Sequence, residues 1–327
     1  MFNMFSIAPQ EALVTRLMSF SVDGEYSFGL VDAAGTGVID LAGRAGLEGR
    51  AGLEDCVVLE DLLSDGLLDV ARSFADEPAD HALADVTFDR PLHWPSKIFC
   101  IGVNYGGRAA EYEDKTDAAY PSVFPRFPDG FTGHGQSLVR PPESPQLDYE
   151  GEIVVVIGEP PEGASGRRIP MERAREHVFG LTLGNEGTIR DWVRHAKFNV
   201  TQGKNWMSSG AIGPWIVPID EIGDFEDLRL TTRVNGELRQ EDTPATMKYS
   251  IEYQIHYLST FTELRPGDLI FTGTPTGAGA RFDPPIWLEP GDVVEVTVPE
   301  IGTLRNTIVD EFEPGTPEVA FTAPEPQ

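Results

Sequence analysis

The sequence predicts a β-rich α+β protein in which a small N-terminal domain precedes a larger, strand-rich domain. Short apolar runs rich in β-branched residues recur along the chain, and turn-forming Pro, Gly and Asp residues separate them at close intervals. Few stretches have helical periodicity, and strands and helices do not alternate as a parallel βαβ sheet requires. At 327 residues, the chain has room for one large domain and one small one.

Residues 1–92 are predicted to form the small N-terminal domain, which has mixed α/β character. Three strand-like runs with Gly-containing turns between them predict a meander, and they lie at residues 17–20, 26–31 and 38–41. Leu, Val and Phe recur at helical spacing in residues 59–75. Two prolines in residues 90–95 then mark the domain boundary.

Residues 96–313 are predicted to form the strand-rich domain. Residues 151–158 give the clearest strand, because they are β-branched throughout and bounded by glycines. Residues 250–261 have helical periodicity, and the last two strands, at 293–298 and 303–309, are predicted to pair as a hairpin. Four prolines among Glu, Thr and Ala predict that the tail, residues 314–327, is disordered.

Composition excludes several classes of partner. The formal net charge of −28 disfavours binding to nucleic acid or to an anionic membrane. No apolar run approaches the ~18 residues of a membrane span, and the N-terminus lacks the pattern of a signal peptide, so we expect a cytoplasmic protein. Cys56 and Cys100 lie in apolar strings and are predicted to be reduced core residues. An anionic substrate would need local cations or a metal at its site.

Two acidic residues at the start of the clearest strand carry the first functional prediction. Glu150 and Glu152 are separated by one residue, so in a strand both side chains project to the same side. Two adjacent carboxylates are costly unless a cation lies between them, and hard oxygen ligands suit Mg²⁺, Mn²⁺ or Ca²⁺. The alternative is a solvated strand start with both charges facing outward.

Glu186 and Lys204 are further candidates. Glu186 follows a short apolar strand, where functional side chains are often displayed, and a helix is predicted to begin at Thr188. Lys204 lies in a Gly-containing loop and could hold an oxyanion or act with a lowered pKa beside a divalent ion. The alternative is that Lys204 is an ordinary lysine on the protein surface with no role in a site.

Several strings in one order resemble the C-terminal domain of the fumarylacetoacetate hydrolase superfamily. They are Lys-Ile-Phe-Cys-Ile-Gly-Val-Asn-Tyr (97–105), Leu-Asp-Tyr-Glu-Gly-Glu (147–152), Gly-Leu-Thr-Leu-Gly-Asn-Glu (180–186), Arg-Asp (190–191), Gly-Lys (203–204), Gly-Pro-Trp (213–215), Phe-Thr-Gly-Thr-Pro (271–275) and the closing Pro-Gly-Asp-Val-Val-Glu-Val (290–296). The resemblance covers about residues 96–311, and the preceding ninety residues resemble the small N-terminal domain that many members carry.

The resemblance implies a mixed β-sandwich roll, a homodimer, and one Mg²⁺ or Mn²⁺ at the mouth of the roll. The metal carboxylates fall on Glu150, Glu152 and Glu186, the last of which is usually Asp in the family. Positions that steady the substrate fall on Arg190, Lys204 and Thr274, and we assign Lys204 a catalytic role as well.

The family's lid helix carries a His three residues before a Glu, and this dyad activates water for hydrolysis. Here the aligned residues are Arg108 and Glu111, so the Glu is kept and the His is lost. Arginine does not deprotonate, and Arg108 is therefore interpreted as a ligand for a substrate carboxylate. Glu111 is predicted to be the base, alone or with His134, which is the nearby residue with a suitable ordinary pKa.

The resulting hypothesis is a metal-dependent hydrolase that cleaves a C–C bond in a small, anionic acylpyruvate-like or 1,3-dicarbonyl acid through an enolate. Decarboxylation, tautomerisation or isomerisation, and hydration of a 2-oxo or 2-hydroxy-diene acid of aromatic catabolism are the alternatives, since they share that enolate. A non-catalytic metal-binding protein is a further alternative.

The dyad positions lead to a kinetic prediction for the hydrolase hypothesis. Glu111→Gln should lower kcat on an acylpyruvate by ~10²-fold or more, as loss of a general base does, whereas Arg108→Ala should chiefly raise KM. Full turnover in Glu111→Gln combined with an inactive His134→Ala would assign the base to His134 instead.

Overall fold

The computed structural model of the chain describes residues 14–46, 51–107, 119–195 and 200–312. The predicted tail at 314–327 lies outside the described residues, as do Arg108 and Glu111.

The described residues form mostly short strands and a few short helices. The strands are β1 (Leu17–Val22), β2 (Glu25–Val31), β3 (Gly37–Asp40), β4 (His81–Ala82), β5 (Thr87–Phe88), β6 (Ile98–Gly102), β7 (Ser122–Pro125), β8 (Phe131–Thr132), β9 (Ser137–Arg140), β10 (Leu147–Asp148), β11 (Gly151–Ile157), β12 (Val178–Asn185), β13 (Thr188–Ile189), β14 (Gly210–Pro218), β15 (Leu230–Val234), β16 (Glu237–Asp242), β17 (Leu269–Phe271), β18 (Val293–Val298) and β19 (Gly302–Asp310). The α-helices are α1 (Leu59–Ser64), α2 (Leu68–Arg72), α3 (Thr201–Lys204) and α4 (Ile251–Phe261). No helix in these ranges is both long and apolar enough to cross a membrane.

Two mixed sheets form the framework of the molecule. The larger has twelve strands in the order β4-β3-β2-β1-β14-β12-β11-β17-β6-β7, with β5 added to β1 and β8 added to β14. The smaller has five strands in the order β16-β15-β18-β19-β9, and β10 pairs separately with β13. Most pairs are antiparallel, while β6–β17, β8–β14 and β9–β19 are parallel. The predicted β-rich α+β class is confirmed.

Strand β11 is buried on both faces. Its residues Ile153 and Val155 belong to the core that it shares with the five-stranded sheet, together with Val294 and Val296 of β18. The alternate residues of β11 pack on the opposite face against a second core, which includes Phe271 of β17 and residues of the N-terminal strands and helices. The continuous β-branched run therefore reflects a strand enclosed by two cores.

The N-terminal segment continues the large sheet. Strands β1 to β3 form the predicted meander, and Leu17 of β1 pairs with Ile216 of β14. The helical periodicity of residues 59–75 yields two helices, α1 and α2, because Gly66 adopts a positive φ of 65° between them. The boundary predicted between residues 92 and 96 falls between β5 and β6. Cys56 and Cys100 are buried and free, as predicted.

Most predicted elements of the larger region are present, and one prediction is wrong. The β11 strand, the α4 helix with Ser250 as its N-cap, and the β18–β19 hairpin are confirmed. No helix begins at Thr188. Thr188 and Ile189 instead form β13, in which Thr188 pairs with Asp148, and a 3₁₀ turn follows at Asp191–Arg194. The two buried β-branched residues favour the strand.

The tight packing around β12 gives a stability prediction. A Cβ on Gly184 would lie 2.3 Å from Cε1 of Phe271 and 2.8 Å from Cγ2 of Val154, inside a core with no free space. We expect Gly184→Ala to lower the free energy of unfolding by about 1–3 kcal/mol, as overpacking does. Urea denaturation measures the change. Gly223→Ala is the control, because nothing lies within 4 Å of its Cβ position, and equal midpoints for the two variants would contradict the prediction.

Candidate active site

Pairing between β11 and β12 brings three glutamates together. Gly151 of β11 pairs with Asn185 of β12, so Glu150 and Glu186 lie side by side at the end of this pair. The backbone N–H of Glu186 donates to the Glu150 carbonyl at 2.8 Å, and the Glu150 N–H donates to Oδ1 of Asn185 at 3.0 Å. One carboxylate oxygen from each of Glu150, Glu152 and Glu186 lies within 4.8 Å of the other two. These three residues are called the carboxylate cluster below.

The carboxylate cluster is buried, which decides between the two interpretations of its sequence pattern. Glu150, Glu152 and Glu186 are only 4%, 1% and 2% exposed. A solvated strand start is therefore excluded. Burial raises the pKa of Glu152 well above its usual range, and the nearby charges of Glu186 and Glu150 raise it further.

The donor set fits a hard divalent cation. Three carboxylates in one buried place repel one another, and a cation that accepts oxygen ligands relieves that repulsion. Mg²⁺ and Mn²⁺ both accept such ligands. The cluster is thus suited to hold the metal that the sequence predicted.

Lys204 supplies a positive charge inside the cluster. Its Nζ lies 2.5 Å from Oε2 of Glu150 and 2.9 Å from Oε1 of Glu186, at the end of α3. Lys204 is 5% exposed, so the surface-lysine alternative is excluded. Burial acts to lower the pKa of Lys204, but the charges of Glu150 and Glu186 outweigh it, and the pKa is raised. This raised pKa is the opposite of the lowered pKa that the sequence analysis considered for Lys204 beside a divalent ion.

Arg190 links the cluster to the turn at Gly279 and Ala280. Its Nη2 lies 2.6 Å from Oε1 of Glu150, and its Nε donates to Oδ2 of Asp148 at 2.7 Å. The Asp148 carboxylate also accepts from the N–H groups of Gly279 and Ala280, at 2.8 and 3.0 Å. The sequence did not single out Asp148, which is fully buried and positions Arg190.

Thr274 belongs to a loop that closes on the start of β11. Its Oγ1 donates to the Gly151 carbonyl and accepts from Nε2 of Gln240, both at 2.9 Å. The N–H of Gly273 donates to Oε2 of Glu152 at 2.7 Å. Gly273 has a positive φ of 105°, which only glycine adopts readily, so the loop geometry depends on this residue.

A cavity of about 380 Å³ opens above the cluster. The three glutamates, Lys204, Arg190 and Thr274 form its polar part. Its other walls are largely apolar and come from β6, β7 and the start of α3; they comprise Ile101, Gly102, Val103, Ser122, Val123, Phe124, Pro125, Val200 and Thr201. Apolar walls with a few polar groups are typical of small-molecule sites.

The structure does not bring His134 to this cavity. Its ring packs on Phe88 with the centroids 4.9 Å apart, and its Nδ1 accepts from the Arg305 N–H at 3.1 Å. Burial and the charge of Arg305 lower its pKa. Arg108 and Glu111 lie outside the described residues, so their assigned roles stay predictions.

Arg126 is a buried residue near the cluster that the sequence analysis missed. It follows β7, and its Nη1 lies 4.0 Å from Oε1 of Glu186. Arg126 follows the short run Val123-Phe124-Pro125, but nothing in the sequence indicates which carboxylate it meets.

A family model and individual relatives match the sequence of this chain. Residues 97–309 match the family described as fumarylacetoacetate (FAA) hydrolase C-terminal. The chain is 43% identical over 232 residues to an oxaloacetate tautomerase, YisK of Bacillus subtilis, covering 70% of this chain and 75% of the relative. It is 38% identical over 232 residues to a 4-hydroxyphenylacetate degradation bifunctional isomerase/decarboxylase of Salmonella dublin, covering 71% of this chain and 51% of the relative.

The solved structure of a fumarylacetoacetate hydrolase from Exiguobacterium antarcticum has a similar fold. The TM-score is 0.74 at 29% identity, with 91% of this chain and 100% of the other covered. The predicted superfamily and the predicted fold class are confirmed together.

The raised pKa of Glu152 predicts a pH-dependent effect of metal on stability. A carboxyl whose pKa is higher in the folded state adds stability below its unfolded pKa, and this contribution is lost as the pH rises through the folded pKa. A cation that binds in place of this proton should restore the stability that is lost. The gain in Tm on adding Mn²⁺ should therefore increase as the pH rises above about 4.3, the ordinary pKa of a glutamate.

Differential scanning fluorimetry of chelated protein with and without Mn²⁺ measures this gain. In Glu152→Gln, which cannot ionise, the gain should be small and nearly independent of pH. A pH-independent gain in the unmodified protein would count against the linkage between this proton and the metal.

Proposed function

Since this chain belongs to the fumarylacetoacetate hydrolase family, we propose that it is a metal-dependent tautomerase that interconverts the enol and keto forms of an oxaloacetate-like 2-oxo acid. The observation that carries the proposal is the buried carboxylate cluster with Lys204 Nζ within it, at the polar end of a small cavity.

Glu150, Glu152 and Glu186 would hold one Mg²⁺ or Mn²⁺ through oxygen. When bound, such a cation polarises the 2-oxo group and stabilises negative charge on its oxygen. Arg190 and Lys204 give the site two positive charges, which offset the repulsion that a protein of net charge −28 exerts on an anion.

Lys204 is assigned as the group that moves the proton. In the enol-to-keto direction, its Nζ ammonium gives a proton to C3 of the substrate and regains one from the enol hydroxyl, so no net proton is consumed. In the reverse direction the ammonium first gives a proton to the 2-oxo oxygen, and the amine so formed takes the C3 proton. Both directions therefore begin and end with the ammonium form that the raised pKa of Lys204 favours. Arg190 and Thr274 position the cluster, through Glu150 and through the Gly151 carbonyl respectively.

Tautomerisation also suits the residues that line the cavity. Hydrolysis requires a base that activates water, and His134, one candidate for that base, packs on Phe88 instead of lining the cavity. Proton transfer between carbon and oxygen needs no activated water. The similarity to YisK favours this alternative over the C–C hydrolase hypothesis.

The proposal is tested with oxaloacetate supplied as its enol and followed by the loss of enol absorbance, with Mg²⁺ or Mn²⁺ present. Both Lys204→Met and Lys204→Arg should lower kcat by ~10²-fold or more, because neither side chain can release and regain a proton near neutral pH. Lys204→Arg keeps the charge, which separates proton transfer from electrostatic attraction. Lys248→Met is the control, since Lys248 is exposed and does not line the cavity.

The same samples distinguish the other reactions. Pyruvate release, measured with lactate dehydrogenase, reports decarboxylation, and loss of an acylpyruvate reports hydrolysis. Either reaction with a kcat/KM above that for enol–keto conversion would replace the proposed function. Equal enol–keto rates in the unmodified protein and in Lys204→Arg would remove Lys204 from its assigned role.

A further inference from the structure

Arg126 is a buried arginine that hydrogen-bonds two main-chain carbonyls and one side-chain hydroxyl. Its Nη1 donates to the Gly187 carbonyl at 3.0 Å, and its Nη2 donates to the Gly130 carbonyl at 3.3 Å and to Oγ of Ser209 at 3.2 Å. Its guanidinium lies 4.1 Å from the ring centroid of Phe131. Arg126 is 2% exposed and does not line the cavity, so it lies behind the carboxylate cluster.

The turn that Arg126 contacts is the one that carries Glu186. Gly187 follows Glu186 directly, and a Cβ at Gly187 would lie 1.6 Å from the Ser209 carbonyl oxygen. The turn is thus pressed against the start of β14 on one side and bound by Arg126 on another. The Glu186 N–H is fixed to the Glu150 carbonyl at 2.8 Å.

Geometry and charge give Arg126 two separable effects on a cation in the cluster. By holding Gly187 and Ser209, it fixes the backbone from which the Glu186 side chain reaches Glu150 and Glu152. Its positive charge, 4.0 Å from Oε1 of Glu186, would by itself repel a cation. Loss of the first effect weakens metal binding, whereas loss of the second strengthens it.

We propose that Arg126 is a positioning residue for the metal site, and that its hydrogen bonds to the turn at Gly187 outweigh its charge. This inference rests on the metal site of the proposed function. It extends that site to a residue that touches neither the cavity nor the substrate, as partners of metal ligands commonly do.

Calorimetric titration of Mn²⁺ into chelated protein tests the inference without relying on turnover. Arg126→Met and Arg126→Lys should both raise the Kd for Mn²⁺ by about 10–100-fold, the usual cost of removing a group that orients a metal ligand. Lysine keeps the charge but lacks the planar fork that reaches Gly187, Gly130 and Ser209 together.

Arg175→Met is the matched control. Arg175 also donates to main-chain carbonyls, those of Ile219, Ile222 and Gly223, and lies 4.6 Å from the ring centroid of Phe225. The Arg175→Met variant should have a lower Tm and an unchanged Kd for Mn²⁺. Should Arg126→Met fail to fold, Arg126→Lys alone decides.

Three outcomes separate the inference from the proposed function. An unmodified protein that binds no Mn²⁺ overturns the metal site and the inference with it. Normal binding by the unmodified protein together with an unchanged Kd in Arg126→Lys overturns the inference alone. Tighter binding in Arg126→Met would show that Arg126 acts through its charge, which also overturns the inference.

Discussion

Mutual repulsion among three buried carboxylates is the constraint that organises this molecule. Glu150, Glu152 and Glu186 cannot all ionise in such a place without compensation, and the pKa of Glu152 reflects that cost. Compensation comes from Lys204 within the cluster, from Arg190 at one side and from the Gly273 N–H. A bound cation would complete it, so the feature that costs stability is the same feature that suits the proposed chemistry.

The fold holds two of these charges, those of Glu150 and Glu152, at the start of β11, a strand whose two faces are both buried. Strand β11 is enclosed by one core shared with the five-stranded sheet and by another shared with the N-terminal segment. Movement of Glu150 or Glu152 would therefore disturb both cores. Such support matters because a metal site or a proton-transfer site loses activity when its groups shift by a fraction of an ångström.

Local patterns predicted the parts of the fold and of the site that depend on near neighbours in the chain. The i, i+2 spacing indicated Glu150 and Glu152, and the apolar β-branched run indicated β11. Glu186 was a candidate from its place after an apolar strand, but its assignment to the same metal as Glu150 and Glu152 needed the resemblance to a family, as did Arg190 and Thr274. Arg126 and Asp148 were missed, because 61 residues separate Arg126 from Gly187 and 131 separate Asp148 from Gly279. His134 was chosen for its proximity in sequence, whereas the structure pairs its neighbours Phe131 and Thr132 with β14 and packs its ring on Phe88.

Two groups of residues line the cavity, and they differ in how readily their side chains can be substituted. The three glutamates lie at β11 and β12, in the middle of the twelve-stranded sheet, whereas Ser122, Val123, Phe124 and Pro125 come from β7, which is the terminal strand of that sheet. Side chains on a terminal strand can be exchanged without disturbing strands on both sides. Strand β7 is thus the natural place to diversify a library of variants, because its side chains line the cavity while the glutamates lie at other strands.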